Sequence, residues 1–164
     1  MKKLNTVYIG VGTNLGDKLN NIHLAYQAIQ SHIGDITGKS FIYKTPPWGF
    51  HSTEDFYNSV IKVKTTLPPM DLLDQLQVIE KSLGKTPTYT IGYSSRLIDL
   101  DIIDYNNEII ENNRLSIPHS HIADRNFVIF PLYDVCPNWV HPKTNKPILA
   151  LKKEIDKTIS KVDS

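Results

Sequence analysis

Two aspartates separated by one residue, Asp99 and Asp101, form the pattern in this chain with the clearest chemical meaning. Side chains alternate between the faces of a strand, so both carboxylates would point the same way, about two rises of ~3.3 Å apart. Ile98, Leu100 and Ile102 would point to the opposite face, towards a core. Two carboxylates this close repel each other, and a bound divalent cation removes the repulsion. Such oxygen ligands suit Mg²⁺, which commonly takes one or two carboxylates together with water and phosphate oxygens.

Basic side chains near this pair decide its interpretation, because a strand edge with two solvated acids would show the same Asp-x-Asp spacing. The basic or protonatable residues that we assign to the same site are Arg96, Arg114, His119 and Arg125. Metal ions bridge phosphate oxygens during phosphoryl transfer, and guanidinium groups neutralise charge in its transition state. The combination predicts transfer of a phosphoryl-type group.

The composition is that of one globular domain. A length of 164 residues fits one domain, so we expect a single catalytic domain over residues 1–164. The formal net charge of +1, from 18 basic and 17 acidic residues, gives no electrostatic case for binding to nucleic acid or to a membrane surface. The one cysteine, Cys136, can form neither an internal disulfide nor a thiolate metal cluster.

The N-terminal residues predict a cytoplasmic protein. The segment from Met1 to Thr6 contains two lysines, and neither a long apolar run nor a small-residue cleavage site follows it. We therefore predict no signal peptide. No segment approaches the 18 apolar residues that a membrane-spanning helix needs.

Hydrophobic periodicity predicts the order strand, helix, strand, strand, helix, strand. The predicted strands cover residues 7–12, 36–43, 55–66 and the Asp-x-Asp segment, and the predicted helices cover residues 18–33 and 68–83. This order is typical of an α+β fold with a ferredoxin-like βαββαβ core, an antiparallel sheet with helices on one face. We expect a C-terminal hairpin around Asn112 and Asn113, short helices such as one near residues 126–134, and a long loop at residues 85–95, of a length that is usually functional or disordered. The tail from Lys143 onward is polar apart from one short apolar stretch.

Three other patterns have to be weighed against this interpretation. The run from Gly10 to Gly16 resembles a dinucleotide-binding turn, but its third glycine is one position late for G-x-G-x-x-G. The run from Gly38 to Ser40 resembles the end of a phosphate loop, but it leads from a helix to a strand, the reverse of that motif. A ferredoxin-like fold also hosts RNA-binding modules, but no segment matches their RNP1 signature.

Four sequence blocks, taken in order, resemble the 6-hydroxymethyl-7,8-dihydropterin pyrophosphokinase family of folate synthesis. The blocks are Gly12-Thr13-Asn14-Leu15-Gly16, Tyr43-Lys44-Thr45-Pro46-Pro47, Arg96-Leu97-Ile98-Asp99-Leu100-Asp101, and Pro118-His119 followed by Arg125-Asn126-Phe127. The resemblance spans residues 7–139. It implies direct transfer of the β,γ-pyrophosphoryl group of ATP to the pterin hydroxymethyl oxygen, with release of AMP and with two Mg²⁺ ions as cofactors.

The same resemblance implies roles for individual residues. Those implied to be catalytic are Arg96, Asp99, Asp101, His119 and Arg125, of which Asp99 and Asp101 would bind both magnesium ions. Those implied to contact the pterin are Thr45, Pro46, Trp48, Phe56, Asn58 and Phe127. Those implied to contact ATP are Gln77, Glu80, Lys85, Tyr93, Arg96, Ile102, Arg114, Ser116, His119 and Arg125. Phe56 and Phe127 would stack on the two faces of the pterin ring. For Gln77 and Glu80 a solvated helix face is an equal alternative.

The chain departs from the family pattern in one loop. The family usually reads Arg-Trp-Gly-Pro-Arg before the catalytic arginine, whereas this chain reads Gly92-Tyr93-Ser94-Ser95-Arg96. Where the family often has two arginines after the second helix, this chain has only Lys85. Lysine lacks the bidentate fork of arginine, so the loop would hold ATP differently, with Tyr93 sealing the site by stacking.

Two other classes of protein stay open at this point, a pterin- or nucleotide-binding module without catalysis and a ferredoxin-like RNA-binding domain. Neither needs a metal-binding carboxylate pair, so Asp99 and Asp101 separate the enzyme from both. As an enzyme, the chain would act on two small molecules, ATP and hydroxymethyl-dihydropterin, and would bind neither nucleic acid nor membrane. We expect the protein to be a monomer. We also expect ATP to bind before the pterin, because ATP would order the flexible loops.

Overall fold

The structure, a computed structural model, describes residues 3–46, 55–84 and 97–162, and the predicted loop at residues 85–95 lies outside these ranges. The strands are β1 (Asn5–Thr13), β2 (Gly34–Lys39), β3 (Tyr43–Thr45), β4 (Phe56–Thr65), β5 (Asp99–Tyr105), β6 (Ile110–Glu111), β7 (Ser116–Ile117) and β8 (Ser160–Lys161). The α-helices are α1 (Lys18–His32), α2 (Pro69–Ser82), α3 (Asn126–Val135) and α4 (Ile148–Glu154), and a 3-10 turn covers Ile122–Asp124.

The two long helices begin and end where the sequence predicts. The side chain of Asp17 accepts a hydrogen bond from the backbone N–H of Asn20 at 3.1 Å, which caps the first turn of α1. Helix α2 starts at Pro69, since proline fits the first helical position without losing a backbone hydrogen bond. Gly84, at φ +98°, ends the turn that follows α2.

An antiparallel sheet joins six of the strands in the order β5–β1–β4–β3–β8, and β2 also pairs with β4. Strands β6 and β7 form a separate two-stranded ladder on either side of Asn112 and Asn113. The register between β1 and β5 shifts by one residue between Tyr8 and Ile9. Ile9 lies opposite Ile102 and Tyr8 lies opposite Asp104, so Ile103 is the extra residue in β5. This irregularity changes which residues of β5 share a face.

Helices cover both faces of this sheet, so the prediction of helices on one face was incomplete. On one face, Val7, Ile9 and Val11 of β1 pack with buried residues of α1 and α2. On the other face, Tyr8 and other residues of the sheet pack with α3 and α4. The four helices thus form two layers, and the second layer comes entirely from the sequence after residue 125.

Ser40 divides the predicted second strand into β2 and β3. Its backbone N–H donates to the carbonyl of Val60 at 3.0 Å, and its Oγ accepts from the N–H of Val60 at 2.9 Å. A serine side chain therefore takes the place of a backbone carbonyl in the ladder, and the strand is interrupted there. Within the described residues, no helix is long and apolar enough to cross a membrane.

The C-terminal tail, predicted to be polar apart from one short apolar stretch, contains α4, which begins in that stretch, and β8. Ile148 and Leu151 of α4 are buried against α3 and the sheet. Two apolar residues three positions apart are too weak a pattern to identify a helix from sequence alone. Strand β8 pairs with β3 and becomes the outermost strand of the sheet.

Candidate active site

A pocket lies on the α3 side of the sheet. Its lining residues are Gly10, Gly12, Thr45, Pro46, Phe56, Asn58, Ser59, Asp99, Asp101, Ile103, Arg125, Phe127 and Val128. They come from β1, β3, β4, β5 and the start of α3, which are far apart in the chain. A pocket lined by aromatic and apolar side chains with a few polar groups suits a small flat ligand.

Strand register brings the central polar residues into one row. Gly12 of β1 lies opposite Asp99 of β5 on one side and opposite Asn58 of β4 on the other. Gly10 lies opposite Asp101. Residues that are directly opposite in an antiparallel pair point to the same face. The two carboxylates and the Asn58 amide therefore face the same pocket, as the Asp-x-Asp spacing predicts for the carboxylates.

The glycines of β1 form the floor of the pocket. A Cβ atom on Gly12 would lie only 2.6 Å from Oδ1 of Asn58, and one on Gly10 would lie 3.3 Å from Cδ1 of Ile103. The missing side chain at Gly12 is thus what allows the Asn58 amide to lie across β1. The sequence places both glycines at the end of the predicted first strand and the start of the turn after it, and it did not assign them to the site.

Two walls rise from this floor. One wall comes from the β3–β4 pair, where Thr45 lies opposite Phe56, together with Pro46. The other comes from the start of α3, where Phe127 lines the pocket and the guanidinium carbon of Arg125 lies 5.5 Å from the centre of the Phe127 ring. Five of the six predicted pterin contacts therefore meet in one pocket.

His119 lies beside this pocket and not in its lining. Its Nδ1 accepts a hydrogen bond from the N–H of His121 at 3.2 Å. Burial, the charge of Arg125 and the neighbouring His121 lower the pKa of His119 to about 4, although Asp99 acts in the opposite direction. His119 is therefore neutral at pH 7. With Nδ1 acting as an acceptor, the proton is assigned to Nε2, which is a hydrogen-bond donor.

The predicted ATP contacts on α2 have different surroundings from one another. Gln77 is exposed, and its Oε1 accepts from Nη2 of Arg114 at 3.5 Å. The same nitrogen of Arg114 donates to Asp74 at 2.6 Å, in an exposed ion pair. Glu80 is buried, so the alternative of a solvated helix face does not apply to it. Its carboxylate accepts from the N–H of Leu100 at 2.9 Å and holds the strand that carries both aspartates.

The other predicted contacts are only partly near the pocket. The side chain of Ile102 is buried in the cluster with α1 and α2, on the opposite face of the sheet, so only its backbone could reach a ligand on the pocket face. Ser116 is half-buried in β7. Four predicted residues lie outside the described ranges, namely Trp48, Lys85, Tyr93 and Arg96.

Asp99 and Asp101 are the residues of the pocket that suit a metal ion. Over residues 3–46, 55–84 and 97–162, no group of three or more His, Cys, Asp or Glu side chains is arranged to hold one. Two carboxylates are too few for an all-protein calcium cage, which needs six to eight oxygens, but they match Mg²⁺ sites that share the ion with phosphate groups. The donor set therefore fits magnesium brought with a phosphate-containing ligand.

Comparisons with known proteins identify the family of this chain. The model of the 7,8-dihydro-6-hydroxymethylpterin-pyrophosphokinase (HPPK) family matches residues 8–137. The 2-amino-4-hydroxy-6-hydroxymethyldihydropteridine pyrophosphokinase of Aquifex aeolicus is 36% identical over 149 residues, which cover 91% of each chain. The enzyme of the same name from Haemophilus influenzae is 41% identical over 141 residues, 85% of this chain and 86% of that protein.

Solved structures agree in fold. The crystal structure of Plasmodium falciparum HPPK-DHPS with pteroate superposes on this chain with a TM-score of 0.79 at 15% identity. The match covers 100% of this chain but 49% of the other, so this chain spans about half the length of that one. At this identity the likeness concerns the fold alone. The family model and the relatives, which match most of the sequence, show that this chain belongs to the HPPK family.

Proposed function

We propose that this chain transfers the pyrophosphoryl group of ATP to the hydroxymethyl group of 6-hydroxymethyl-7,8-dihydropterin and releases AMP. The observation that carries the proposal is the pocket in which the Asp99–Asp101 pair faces the same space as Asn58, Phe56 and Phe127. A metal-binding pair next to a site for a flat heterocycle is what joining a nucleotide phosphate to a pterin requires. The names of the relatives support the same reaction.

The pterin half of the pocket suits a flat ring with polar edges. Phe56 and Phe127 both line it, and aromatic faces supply stacking energy without demanding a fixed rotation of the ligand. Asn58 and Thr45 then provide hydrogen bonds that fix this rotation. An amide both donates and accepts, which matches the alternating donors and acceptors along a pterin edge. Trp48, outside the described residues, is proposed to complete this side.

Asp99 and Asp101 would hold Mg²⁺, as two ions according to the family resemblance, and ATP would supply further oxygen ligands. When bound, magnesium neutralises charge on the phosphate oxygens and aligns the transferred group. The contribution of the chain is to hold both carboxylates at a constant separation on a strand. The contact of Glu80 with the N–H of Leu100, between the two aspartates, supports that role.

Arg125 and His119 are proposed to act on the transferred group. Arg125 keeps its charge at any working pH, and its guanidinium lies beside the Phe127 ring at the pocket wall. His119 is neutral and has a donor nitrogen, so it would donate a hydrogen bond to a phosphate oxygen and would not serve as a second cation. Stabilising groups of this kind typically contribute about 10²–10³ in rate each.

The nucleotide is proposed to lie on the β5–α2 side of the pocket. Gln77, Arg114 and Ser116 would contact it there, Ile102 through its backbone, and Glu80 through the carboxylate that also holds Leu100. Lys85, Tyr93 and Arg96 remain proposals from the family resemblance. We further propose ATP binding before the pterin, a monomer, and a single catalytic domain over residues 1–164. The strand order β5–β1–β4–β2 supports a ferredoxin-like core.

The product nucleotide tests this proposal most directly. The chain should convert MgATP and hydroxymethyl-dihydropterin to AMP and the pterin pyrophosphate, as measured by chromatography. Omission of the pterin should stop AMP formation, and omission of magnesium should do the same. Formation of ADP instead would mean ordinary kinase chemistry. Pterin binding without turnover would mean a binding module.

A further inference from the structure

We propose that the C-terminal segment 156–162 is a positioning element for the pterin side of the pocket. It connects the start of α3 with β3, and these two elements carry opposite walls of the pocket. The inference rests on the proposed function, because it concerns how that pocket keeps its width. Neither the metal pair nor the nucleotide side is involved.

The first connection is to α3. Nδ2 of Asn126 donates to the carbonyl of Asp156 at 3.1 Å and, over a longer 3.5 Å, to that of Thr158. Asn126 is the first residue of α3 and lies between Arg125 and Phe127, both of which line the pocket. Asn126 itself is not part of the lining. Its side chain therefore ties the tail to the wall without touching the ligand space.

The second connection is to β3. In β8, Ser160 pairs with Lys44 and Lys161 pairs with Tyr43, and the N–H of Val162 donates to the carbonyl of Ile42 at 2.8 Å. Strand β3 is only three residues long, and its last residue, Thr45, lines the pocket. Because β4 holds it on one side and β8 on the other, β3 is fixed from both edges.

Local hydrogen bonds hold the segment in a conformation that makes both contacts. The carboxylate of Asp156 accepts from the N–H of Thr158 at 2.8 Å and from its hydroxyl at 2.6 Å. The ammonium group of Lys157 donates to the carbonyls of Lys152 and Lys153, at 3.3 and 3.1 Å, at the end of α4. These bonds fix the turn after α4, so the chain arrives at β3 in one direction.

The tail also lies directly against the wall that would bind the pterin. A surface groove is shared by Thr45, Pro46 and Asp55 on one side and by Thr158 and Ser160 on the other. Thr45 and Pro46 thus face the pocket and the tail at the same time. Loosening of the tail would let this wall move relative to Phe127. Misplacement by about 1 Å is enough to cost a large part of the binding or the rate at such a site.

The segment is mostly exposed, so its main effect should fall on the pocket and not on folding. Residues 156–158, 160 and 161 are exposed, and only Ile159 and Val162 are half-buried. A stabilising role for the whole fold would require larger apolar burial. If either connection of the segment, to α3 or to β3, is weakened, the KM for the pterin should rise while the KM for ATP stays unchanged.

Two substitutions in the full chain each remove one connection of the segment, one to α3 and the other to the residue before β3. Asn126→Ala removes the amide that holds the tail to α3, and Val162→Pro removes the N–H that donates to Ile42. Asn138→Ala, at an exposed asparagine that does not line the pocket, is the matched control. Each single variant should raise the pterin KM roughly three- to tenfold, with the ATP KM within about twofold and the melting temperature nearly unchanged.

The double variant gives the decisive comparison. If both substitutions cut one tie, the second should add almost nothing to the loss caused by the first, because interactions within one unit are not additive. Unchanged pterin KM in both single variants would overturn the proposal. Equal increases in both KM values with a lower melting temperature, or fully additive effects, would also overturn it. A wild-type chain that forms no AMP would instead overturn the proposed function, and this inference with it.

Discussion

The two faces of the central sheet use the same strands for different purposes. On the face towards α1 and α2, Val7, Ile9 and Val11 of β1 are at most 1% exposed and form the main core. On the opposite face, the intervening Gly10 and Gly12 carry no side chain and leave an open floor. One strand thus supports stability with Val7, Ile9 and Val11 and ligand space with Gly10 and Gly12.

The comparison also separates two parts of the pocket face itself. At the β1 N-terminal end, Tyr8, Val60 and Ile103 are covered by α3 and α4. At the other end, the sheet is left open between β3 and the start of α3, and the polar groups collect there. The layer of α3 and α4 therefore covers the second apolar cluster, and the start of α3 also forms one edge of the pocket. Substitutions on the two faces should accordingly separate activity from stability.

The largest effect is expected for Asp101→Ala on the pocket face. Loss of one of the two carboxylates proposed to bind the metal should remove several kcal/mol of transition-state stabilisation, which corresponds to a fall of about 10³-fold or more in kcat. The melting temperature should stay close to that of the wild type, since Asp101 is not in either apolar cluster. Steady-state kinetics and thermal melts measure both. Glu108→Ala, at an exposed acid beyond the end of β5, is the control, and near-normal activity of Asp101→Ala would exclude the metal assignment.

The opposite result is expected for Ile9→Ala on the core face. Ile9 is fully buried, and truncation of such a side chain costs about 2–5 kcal/mol of the free energy of unfolding. The midpoint of urea unfolding should fall, while kcat per folded molecule should change little. A fall in kcat comparable to that of Asp101→Ala in the folded fraction would mean that the two faces are not independent.

A smaller effect is expected for Gly12→Ala on the pocket floor. The added methyl group would lie 2.6 Å from Oδ1 of Asn58 and would displace that amide from its place across β1. We expect the pterin KM to rise roughly tenfold, about 1.4 kcal/mol, with little change in the ATP KM. Gly38→Ala is the matched control, because a Cβ there would make only ordinary contacts, with Lys62 at 3.4 Å. Equal pterin KM values for both variants would contradict this role of Gly12.

The smallest effect concerns Asp104, a buried acid on the covered part of the pocket face. It accepts from Nε1 of Trp139 at 3.1 Å and from the N–H of Asn107 at 2.9 Å, yet burial raises its pKa. A raised folded-state pKa gives stability that is present below the unfolded pKa and is lost as the pH rises through the folded value. Asp104→Asn cannot titrate, so its melting temperature relative to the wild type should be more favourable at pH 7 than at pH 4. Thermal melts across this range measure the difference, and a constant difference would contradict the pKa shift.

Local patterns were enough to predict the main elements and part of the site. Helices α1 and α2 were predicted from the helical spacing of their apolar residues, and β1 and β4 from their short apolar runs. Each of these patterns lies within a single segment of the chain. The same alternation predicted that Asp99 and Asp101 share a face. The family resemblance added Thr45, Pro46, Phe56, Asn58 and Phe127, which do meet in one pocket.

Features that depend on strand register, or on the packing of helices against the sheet and each other, could be seen only in the tertiary structure. The shift between β1 and β5 brings Asp104 to the face of Tyr8 and Trp139, although simple alternation from Asp101 would place it on the opposite face. Glu80 was assigned from the family resemblance, but only the packing of α2 against β5 shows that it holds Leu100. The apolar residues of α4 were too few to predict a helix, and its docking on α3 forms it. Each of these features arises between segments distant in sequence, where no local periodicity specifies which residues meet.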